Sequence, residues 1–94
     1  MARPLSTEEI TRQVEDLEDW RLEADELVAE FEFDDFVGSL AFVNQVGEIA
    51  EELNHHPDID IRWNKVKLAL TDHAAGGISQ KDVEAAHQIS SLAP

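Results

Sequence analysis

Three of the four histidines lie between positions 55 and 73, and two of them, His55 and His56, are adjacent. Because the reference pKa of an imidazole is about 6.5, a histidine side chain both donates and accepts protons near neutral pH. The chain has no cysteine, so thiolate nucleophiles, thiolate metal sites and disulfides are excluded. Acid/base chemistry must therefore use histidines, carboxylates or hydroxyls, and the histidine group indicates general acid/base catalysis.

Two carboxylates lie at spacings that relate them to these histidines. Glu51 precedes His55 by four residues, so on a continuous helix the two side chains would share a face and Glu51 would orient the imidazole. Asp82 stands in the predicted first turn of the last helix, where a carboxylate complements the helix dipole. His73 follows a predicted hairpin, whose antiparallel return brings it to the same sheet edge as His56. We therefore expect the three imidazoles to converge.

Two other interpretations of the histidines remain open. Adjacent histidines at the end of a helix also cap carbonyl groups or face solvent. Two or three imidazoles with a carboxylate also suit zinc. The zinc-protease pattern, however, places two histidines one helical turn apart around a glutamate, whereas His55 and His56 are followed at once by Pro57. We therefore expect no metal site. We also expect His87, on the last helix, to lie at the surface and Trp63 to lie in the core.

The first third of the chain predicts a helix and a hairpin. Ser6 and Glu9 have the spacing of a capping box, and apolar residues then repeat at helical spacing over residues 7–18. From position 20 onward apolar and charged residues alternate, which predicts two strands with a turn at Asp25 and Glu26.

The rest of the chain repeats this alternation of helix and hairpin. Asp34 is placed to cap a long helix with a wide apolar face, and Pro57 ends the helical region. Gly47 inside that helix costs about 1 kcal/mol relative to alanine, which predicts the close approach of another element there. A second hairpin turns near Asn64, and Ser79 begins the last helix. The order α-β-β-α-β-β-α predicts an α+β fold with three helices on one face of a four-stranded antiparallel sheet.

Composition limits the size and the partners of this fold. Ninety-four residues suffice for one small core, so we expect a single domain over residues 1–94. Twenty-one acidic residues against seven basic ones give a net charge of −14, which argues against nucleic acid and anionic membranes as partners. The sequence has neither an apolar run of about 20 residues nor the apolar core of a signal peptide, so we expect a cytoplasmic protein.

The charged residues are also unevenly distributed along the chain, and few of them are lysines. Thirteen of the acidic residues fall within residues 1–35, and only three lysines are present in the chain. This carboxylate-rich, lysine-poor composition resembles that of proteins from organisms with molar cytoplasmic salt. Because molar salt shortens the Debye length to about 3 Å, it screens the repulsion between surface carboxylates. We predict that the thermal unfolding midpoint rises across a KCl series, and a flat or falling midpoint would contradict a halophilic origin.

A set of residues at fixed intervals resembles the signature of the pterin-4a-carbinolamine dehydratase family. The residues that carry the resemblance are Glu51, His55, His56, Pro57, Trp63, His73 and Asp82. Further similarity lies in Trp20, residues 31–36, Asn54, Asn64 and residues 77–79, so the resemblance covers residues 5–92. The fold of that family has the same element order as the one predicted from the patterns.

The resemblance implies the dehydration of 4a-hydroxytetrahydropterin to quinonoid dihydropterin, with neither a metal nor an organic cofactor. It implies that His55 and His73 act as general acids toward the 4a-hydroxyl group, that His56 holds the pterin, and that Glu51 orients or charges the pair. The remaining substrate-binding residues that it implies are Pro57 and, through backbone groups, Asp72, Ala74 and Ala75, with Trp63 and Asp82 in supporting positions.

Two positions depart from the family pattern. Ile59 stands where many members have an aromatic residue, and Asp72 stands where many have threonine. The first departure bears on how the substrate packs. The second places a negative charge next to His73, which bears on proton transfer and on the binding of an electron-rich ligand.

Alternative functions of the same fold also remain open. Animal relatives act as dimerisation cofactors of a homeodomain transcription factor, which implies a non-catalytic binding or assembly module acting through the long helix. Another alternative is pterin chemistry of a different kind, around molybdopterin. The two-sided apolar helix and the exposed sheet edges exceed what a small monomer covers, so we expect a homodimer or homotetramer.

Overall fold

The computed structural model describes residues 3–92, which form three helices and four strands in the predicted order. The elements are α1 (Thr7–Val14), β1 (Trp20–Glu23), β2 (Glu26–Glu32), α2 (Phe36–Leu53), β3 (Asp58–Arg62), β4 (Lys65–Leu70) and α3 (Gln80–Ser90). The predicted α+β class and the order α-β-β-α-β-β-α are confirmed. Within residues 3–92, no helix has both the length and the apolar character needed to cross a membrane.

The four strands form one antiparallel sheet in the order β1-β2-β4-β3. The register pairs Leu27 of β2 with Leu70 of β4, and Ile59 of β3 with Leu68 of β4. One end of the sheet therefore carries the start of β3, the end of β4 and the β1–β2 turn. We call it the histidine end, because residues 55–57 and 71–77 lie there.

The opposite end of the sheet carries the β3–β4 turn, formed by Trp63 and Asn64, next to the start of α2. We call it the tryptophan end. Because β4 has six residues at about 3.4 Å each, the two ends are roughly 20 Å apart.

The core lies between the inner face of the sheet and the three helices. Alternate residues of β2 and β4 point inward, and each helix contributes one apolar stripe. Trp20 is buried, and its indole Nε1 donates a hydrogen bond of 2.8 Å to Ser90 Oγ on α3, so it packs β1 against that helix. The central core side chains are Leu27, Ala29, Phe31, Phe42, Val46, Val66, Leu68, Leu70, Val83, Ala86 and Ile89.

The first helix is shorter than predicted. Its capping box is present, with the Ser6 hydroxyl accepting from the Glu9 amide, but α1 ends at Val14 instead of continuing to residue 18. Residues 15–18 include three carboxylates, and negative charge is unfavourable at the C-terminal end of a helix. The chain instead turns there, and the Leu17 amide donates to the Val14 carbonyl.

Two further boundaries differ by one residue. The β1–β2 turn is formed by Ala24 and Asp25, with Ala24 in the left-handed region at φ 53°, because Glu26 already pairs within the sheet. The cap of α2 is Asp35 and not Asp34. Its carboxylate accepts from the amide of Gly38, which is one of the helix N-terminal amides that lack a partner within the helix.

The predicted core position of Trp63 is wrong. Its side chain is 66% exposed, because the chain leaves β3 one residue earlier and Trp63 lies in the turn, in the left-handed region at φ 53°. The interpretation of Gly47 is also wrong. An added Cβ at Gly47 would meet nothing within 4 Å, so no other element approaches closely at that point.

Candidate active site

The histidine end is centred on a contact between His55 and Asp82. His55 Nε2 bonds directly to the Asp82 carboxylate, and the His55 side chain is only 12% exposed while Asp82 is fully buried. The other oxygen of Asp82 accepts from the Ser79 amide at 2.8 Å and lies 3.4 Å from the Ser79 hydroxyl. A buried carboxylate with these partners holds the imidazole in one orientation, since hydrogen bonds fix both of its oxygens.

The end of α2 sets the direction of the two adjacent histidines. Asn54 takes the left-handed conformation at φ 51°, and this ends the helix before His55. The spacing predicted that Glu51 orients His55. This prediction is wrong, because the helix ends before His55. Glu51 bonds instead to His56, with 2.5 Å between Glu51 Oε2 and His56 Nε2, and both side chains are exposed. His56 therefore has its own carboxylate partner at the surface.

His73 lies on a short loop, residues 72–77, that follows β4. An antiparallel bridge closes this loop: the Asp72 amide donates to the Gly77 carbonyl, and the Gly77 amide donates to the Asp72 carbonyl, both at 3.1 Å. Gly76 adopts φ 83°, and its amide donates to the carbonyls of Asp72 and His73 at 3.0 and 3.2 Å. Side chains other than glycine rarely adopt such a φ, so Gly76 allows the loop to close this tightly.

The Asp72 carboxylate connects this loop to the buried pair. Partial burial opposes its ionisation, but hydrogen bonds from the Ser79 hydroxyl and the Ala75 amide, together with the charge of His55, outweigh that effect. The pKa of Asp72 is therefore held below its ordinary value. His55 precedes β3 and His73 follows β4, and the start of β3 pairs with the end of β4, so the segments that carry the two histidines lie at the same end of the sheet.

A cleft of about 420 Å³ opens beside His73, with His55 and His56 outside its lining. Both walls come from the histidine end: the loop after β4 on one side and the β1–β2 turn on the other. The convergence of all three imidazoles on one substrate atom stays a prediction. The lining residues are Ala24, Asp25, Glu26, Thr71, His73, Gly76 and Gly77.

Two of the three imidazoles at the histidine end have carboxylate partners of their own. Within the described residues, no three histidine, aspartate or glutamate side chains are grouped as metal ligands. Each of the two neighbouring imidazoles instead has a carboxylate on one ring nitrogen, which leaves its other ring nitrogen for a substrate proton.

The sequence profile of the family described as pterin 4 alpha carbinolamine dehydratase matches residues 3–92. The chain belongs to this family. A relative from Thermosynechococcus vestitus, provisionally named a pterin-4-alpha-carbinolamine dehydratase, is 47% identical over 93 residues, which cover 99% of this chain and 98% of that protein. The resemblance carried by Glu51, the adjacent histidines, His73 and Asp82 is thus confirmed at the level of the family.

Two solved structures share the fold of this chain. The crystal structure of a transcriptional coactivator/pterin dehydratase from Brucella melitensis aligns with a TM-score of 0.92 at 26% identity, covering 98% of this chain and 100% of that one. A pterin dehydratase-like protein described as a RuBisCO assembly factor in the alpha-carboxysome aligns with a TM-score of 0.63 at 20% identity, covering 78% and 84% of the two chains, and this second likeness concerns the fold alone.

Sequence patterns missed the long-range partners at this site. The spacing of Ser79 and Asp82 indicated a helix cap, and nothing in it indicated that the same carboxylate also reaches His55, 27 positions earlier. Trp63, which the resemblance placed in a supporting position, lies at the tryptophan end, roughly 20 Å along the sheet from the loop of His73.

Proposed function

We propose that this chain is a 4a-hydroxytetrahydropterin dehydratase, with residues 1–94 forming one catalytic domain. The observation that carries the proposal is the pairing of each of two neighbouring imidazoles with its own carboxylate, His55 with Asp82 and His56 with Glu51, in a chain of the dehydratase family. Histidines held in this way suit a reaction that needs only proton transfer and no metal or organic cofactor.

The reaction breaks the bond between C4a and the hydroxyl oxygen. The lone pair of the neighbouring ring nitrogen forms the new double bond to C4a, and that nitrogen loses its proton. His55 and His73 serve as general acids, and one of them delivers a proton to the departing hydroxyl, which leaves as water. Because hydroxide is a poor leaving group, such protonation contributes typically 10²- to 10⁴-fold to the rate.

The remaining residues of the proposed site bind and orient. His56, held by Glu51, contacts the pterin beside Pro57, and the loop that carries His73 forms the opposite wall with Asp72, Ala74 and Ala75. Asp82 orients His55. In this arrangement the two proposed acids come from different segments, one following α2 and the other following β4. His55 is held by Asp82 at the start of α3, and the closed loop of His73 leads into that same helix.

The direct test follows the decay of 4a-hydroxytetrahydropterin with purified protein. We expect the wild type to exceed the buffer rate at least 100-fold and the double variant His55→Ala, His73→Ala to lose most of that acceleration. The matched control is His87→Ala, because this exposed histidine lies on α3 and its ring bonds to the Gln13 carbonyl. A wild-type rate equal to buffer, or a double variant as fast as the wild type, would refute the proposal.

A second proposed property is self-association, and the apolar surface at the tryptophan end favours it. Phe36, Val37 and Leu40 of α2 are exposed, and Trp63 is exposed beside them, since Ser39 Oγ donates to the Trp63 carbonyl at 2.8 Å. We call these four side chains the Trp63 patch. A group of exposed apolar side chains like this one is typical of protein–protein contacts.

Charge favours a second copy of this chain as the occupant of the Trp63 patch. Residues 36–47 carry no charge, in a chain whose net charge is −14. A basic partner would gain most by contacting the carboxylates, whereas two equally acidic copies repel each other unless they meet where acids are absent. We therefore propose a homodimer or homotetramer that uses this patch.

Light scattering at low and high KCl tests the self-association. We expect a multiple of the 10.5 kDa chain mass for the wild type, and a shift toward 10.5 kDa for the double variant Leu40→Gln, Trp63→Asn. The control Thr11→Gln adds the same polar group to an exposed site of α1, on a different helix from the patch residues of α2. A monomeric wild type would contradict the proposal, and so would an unchanged mass in the double variant.

A further inference from the structure

We propose that Asp72 is a positioning residue, whose carboxylate holds the 72–77 loop in the shape that places His73 at the histidine end. This inference rests on the proposed dehydratase function and extends it. It assigns the Asp72 side chain a role within the protein and not a direct contact with the pterin.

The first argument comes from the hydrogen bonds inside the 72–77 loop. The Ala75 amide donates both to the Asp72 carbonyl at 3.0 Å and to Asp72 Oδ1 at 3.2 Å. The Asp72 carbonyl also accepts from the amides of Gly76 and Gly77. Asp72 thus accepts hydrogen bonds from three amides of the loop. An aspartate that accepts hydrogen bonds from amides farther along its own turn stabilises that turn.

The second argument concerns the backbone groups that were expected to frame the pterin. The Asp72 amide donates to the Gly77 carbonyl, and the Asp72 carbonyl already accepts hydrogen bonds from three amides. Neither backbone group of Asp72 therefore remains for a ligand. The Ala75 amide also donates to the Asp72 carboxylate, at 3.2 Å. The backbone of Asp72 and the amide of Ala75 are therefore occupied within the loop, while the imidazole of His73 lines the cleft.

The third argument is the connection to the other proposed acid. The backbone bridge between Asp72 and Gly77 closes the loop two residues before Ser79, whose amide donates to Asp82 at 2.8 Å, and Asp82 bonds to His55. The loop that Asp72 closes therefore leads directly into the N-cap residue of α3 that anchors the His55 pair. The spacing between two general acids must be held closely, since small displacements of reacting groups reduce rates strongly.

The test compares Asp72→Ala with Asp72→Asn in the dehydratase assay. The alanine variant loses the acceptor for the Ala75 amide, and we expect kcat to fall about 10-fold or more with a smaller change in KM. The asparagine variant keeps an acceptor oxygen in the same place but no charge, and we expect it to restore kcat to within about threefold of the wild type. Asp16→Asn, an exposed acid beyond the end of α1, controls for the lost charge.

Amide hydrogen exchange supplies a second readout that does not depend on activity. We expect the Ala75 amide to exchange at least 10-fold faster in Asp72→Ala than in the wild type, and to stay protected in Asp72→Asn. Full activity of the alanine variant would overturn the inference, and so would an asparagine variant as slow as the alanine one, since charge would then be the requirement. A wild type without dehydratase activity would refute the proposed function instead, while Ala75 exchange would still decide whether Asp72 holds the loop.

Discussion

The two ends of the sheet are held by different kinds of groups. At the histidine end, carboxylates bond to imidazoles and to the cap of α3, so the contacts involve groups that titrate. At the tryptophan end, neutral groups hold the β3–β4 turn against α2 and β2: Ser39 Oγ donates to the Trp63 carbonyl, and Asn64 Nδ2 donates to the Phe33 carbonyl at 3.0 Å. One end therefore combines proton-transferring groups, and the other presents apolar side chains on a rigid support.

This difference shows how a small fold separates two requirements. Proton transfer needs polar partners that fix each ring, whereas association between acidic chains needs a surface without charge. The sheet keeps the two regions roughly 20 Å apart. We therefore expect substitutions at the two ends to change the free energy of unfolding by amounts that differ in sign as well as in size.

The largest effect on stability is expected from Asp82→Ala. The substitution leaves the Ser79 amide and the His55 ring without their buried acceptor, so we expect the free energy of unfolding to fall by about 3 kcal/mol. Urea denaturation measures it, with Glu84→Ala, at an exposed position of the same helix, as the control. A loss no larger than that of the control would mean that the histidine end is not held by this carboxylate.

A pair of substitutions with opposite expected signs compares the ends directly. Trp63 and Asn54 both have positive φ, which asparagine tolerates better than tryptophan or alanine. We expect Trp63→Asn to raise the free energy of unfolding by up to about 1 kcal/mol when measured on monomer, and Asn54→Ala to lower it by about 1 kcal/mol. If urea denaturation showed that both substitutions change the free energy of unfolding in the same direction, the comparison would be contradicted.

Between the two ends, Gly47→Ala is expected to stabilise α2 by about 1 kcal/mol, because its added methyl group meets nothing within 4 Å. Gly38→Ala is the matched control in the same helix. Its Cβ would lie 3.2 Å from the Cβ of Phe33, near the tryptophan end, so the gain is expected to be smaller. Thermal unfolding of both variants checks this, and a larger gain at Gly38 would be inconsistent with the packing.

The smallest effect is expected away from both ends, at Glu9. The guanidinium of Arg3 donates hydrogen bonds to this carboxylate and, with the Ser6 amide, lowers its pKa to about 2 from an ordinary value of 4.5. The stabilisation is therefore complete above pH 4.5 and is lost as the pH falls toward 2. Glu9→Gln should be slightly less stable than the wild type at pH 6, and the difference should vanish near pH 2; Glu8→Gln is the control.

The sequence predicted the regular elements of the fold, because alternation and helical spacing follow from burial on one face. It also predicted that His73 returns to the end of the sheet where His55 and His56 lie, because an antiparallel hairpin brings the chain back. The convergence of the three rings on a substrate stays a prediction. The sequence did not predict that Asn54 would turn His55 away from Glu51 and toward Asp82, because the left-handed cap depends on tertiary packing. The exposure of Trp63 was missed for a similar reason, since alternation in β3 gives no sign of where the turn begins.

The central claim is that the histidine end carries the chemistry and the tryptophan end the association. The most direct measurement determines the rate of 4a-hydroxytetrahydropterin dehydration and the mass in solution for the same two variants. We predict that the double variant His55→Ala, His73→Ala is at least 100-fold slower than the wild type and keeps the wild-type oligomer mass. We predict that the mass of the double variant Leu40→Gln, Trp63→Asn falls toward the 10.5 kDa of a single chain. The account would be contradicted if the histidine variant retained its rate, or if it dissociated while the patch variant did not.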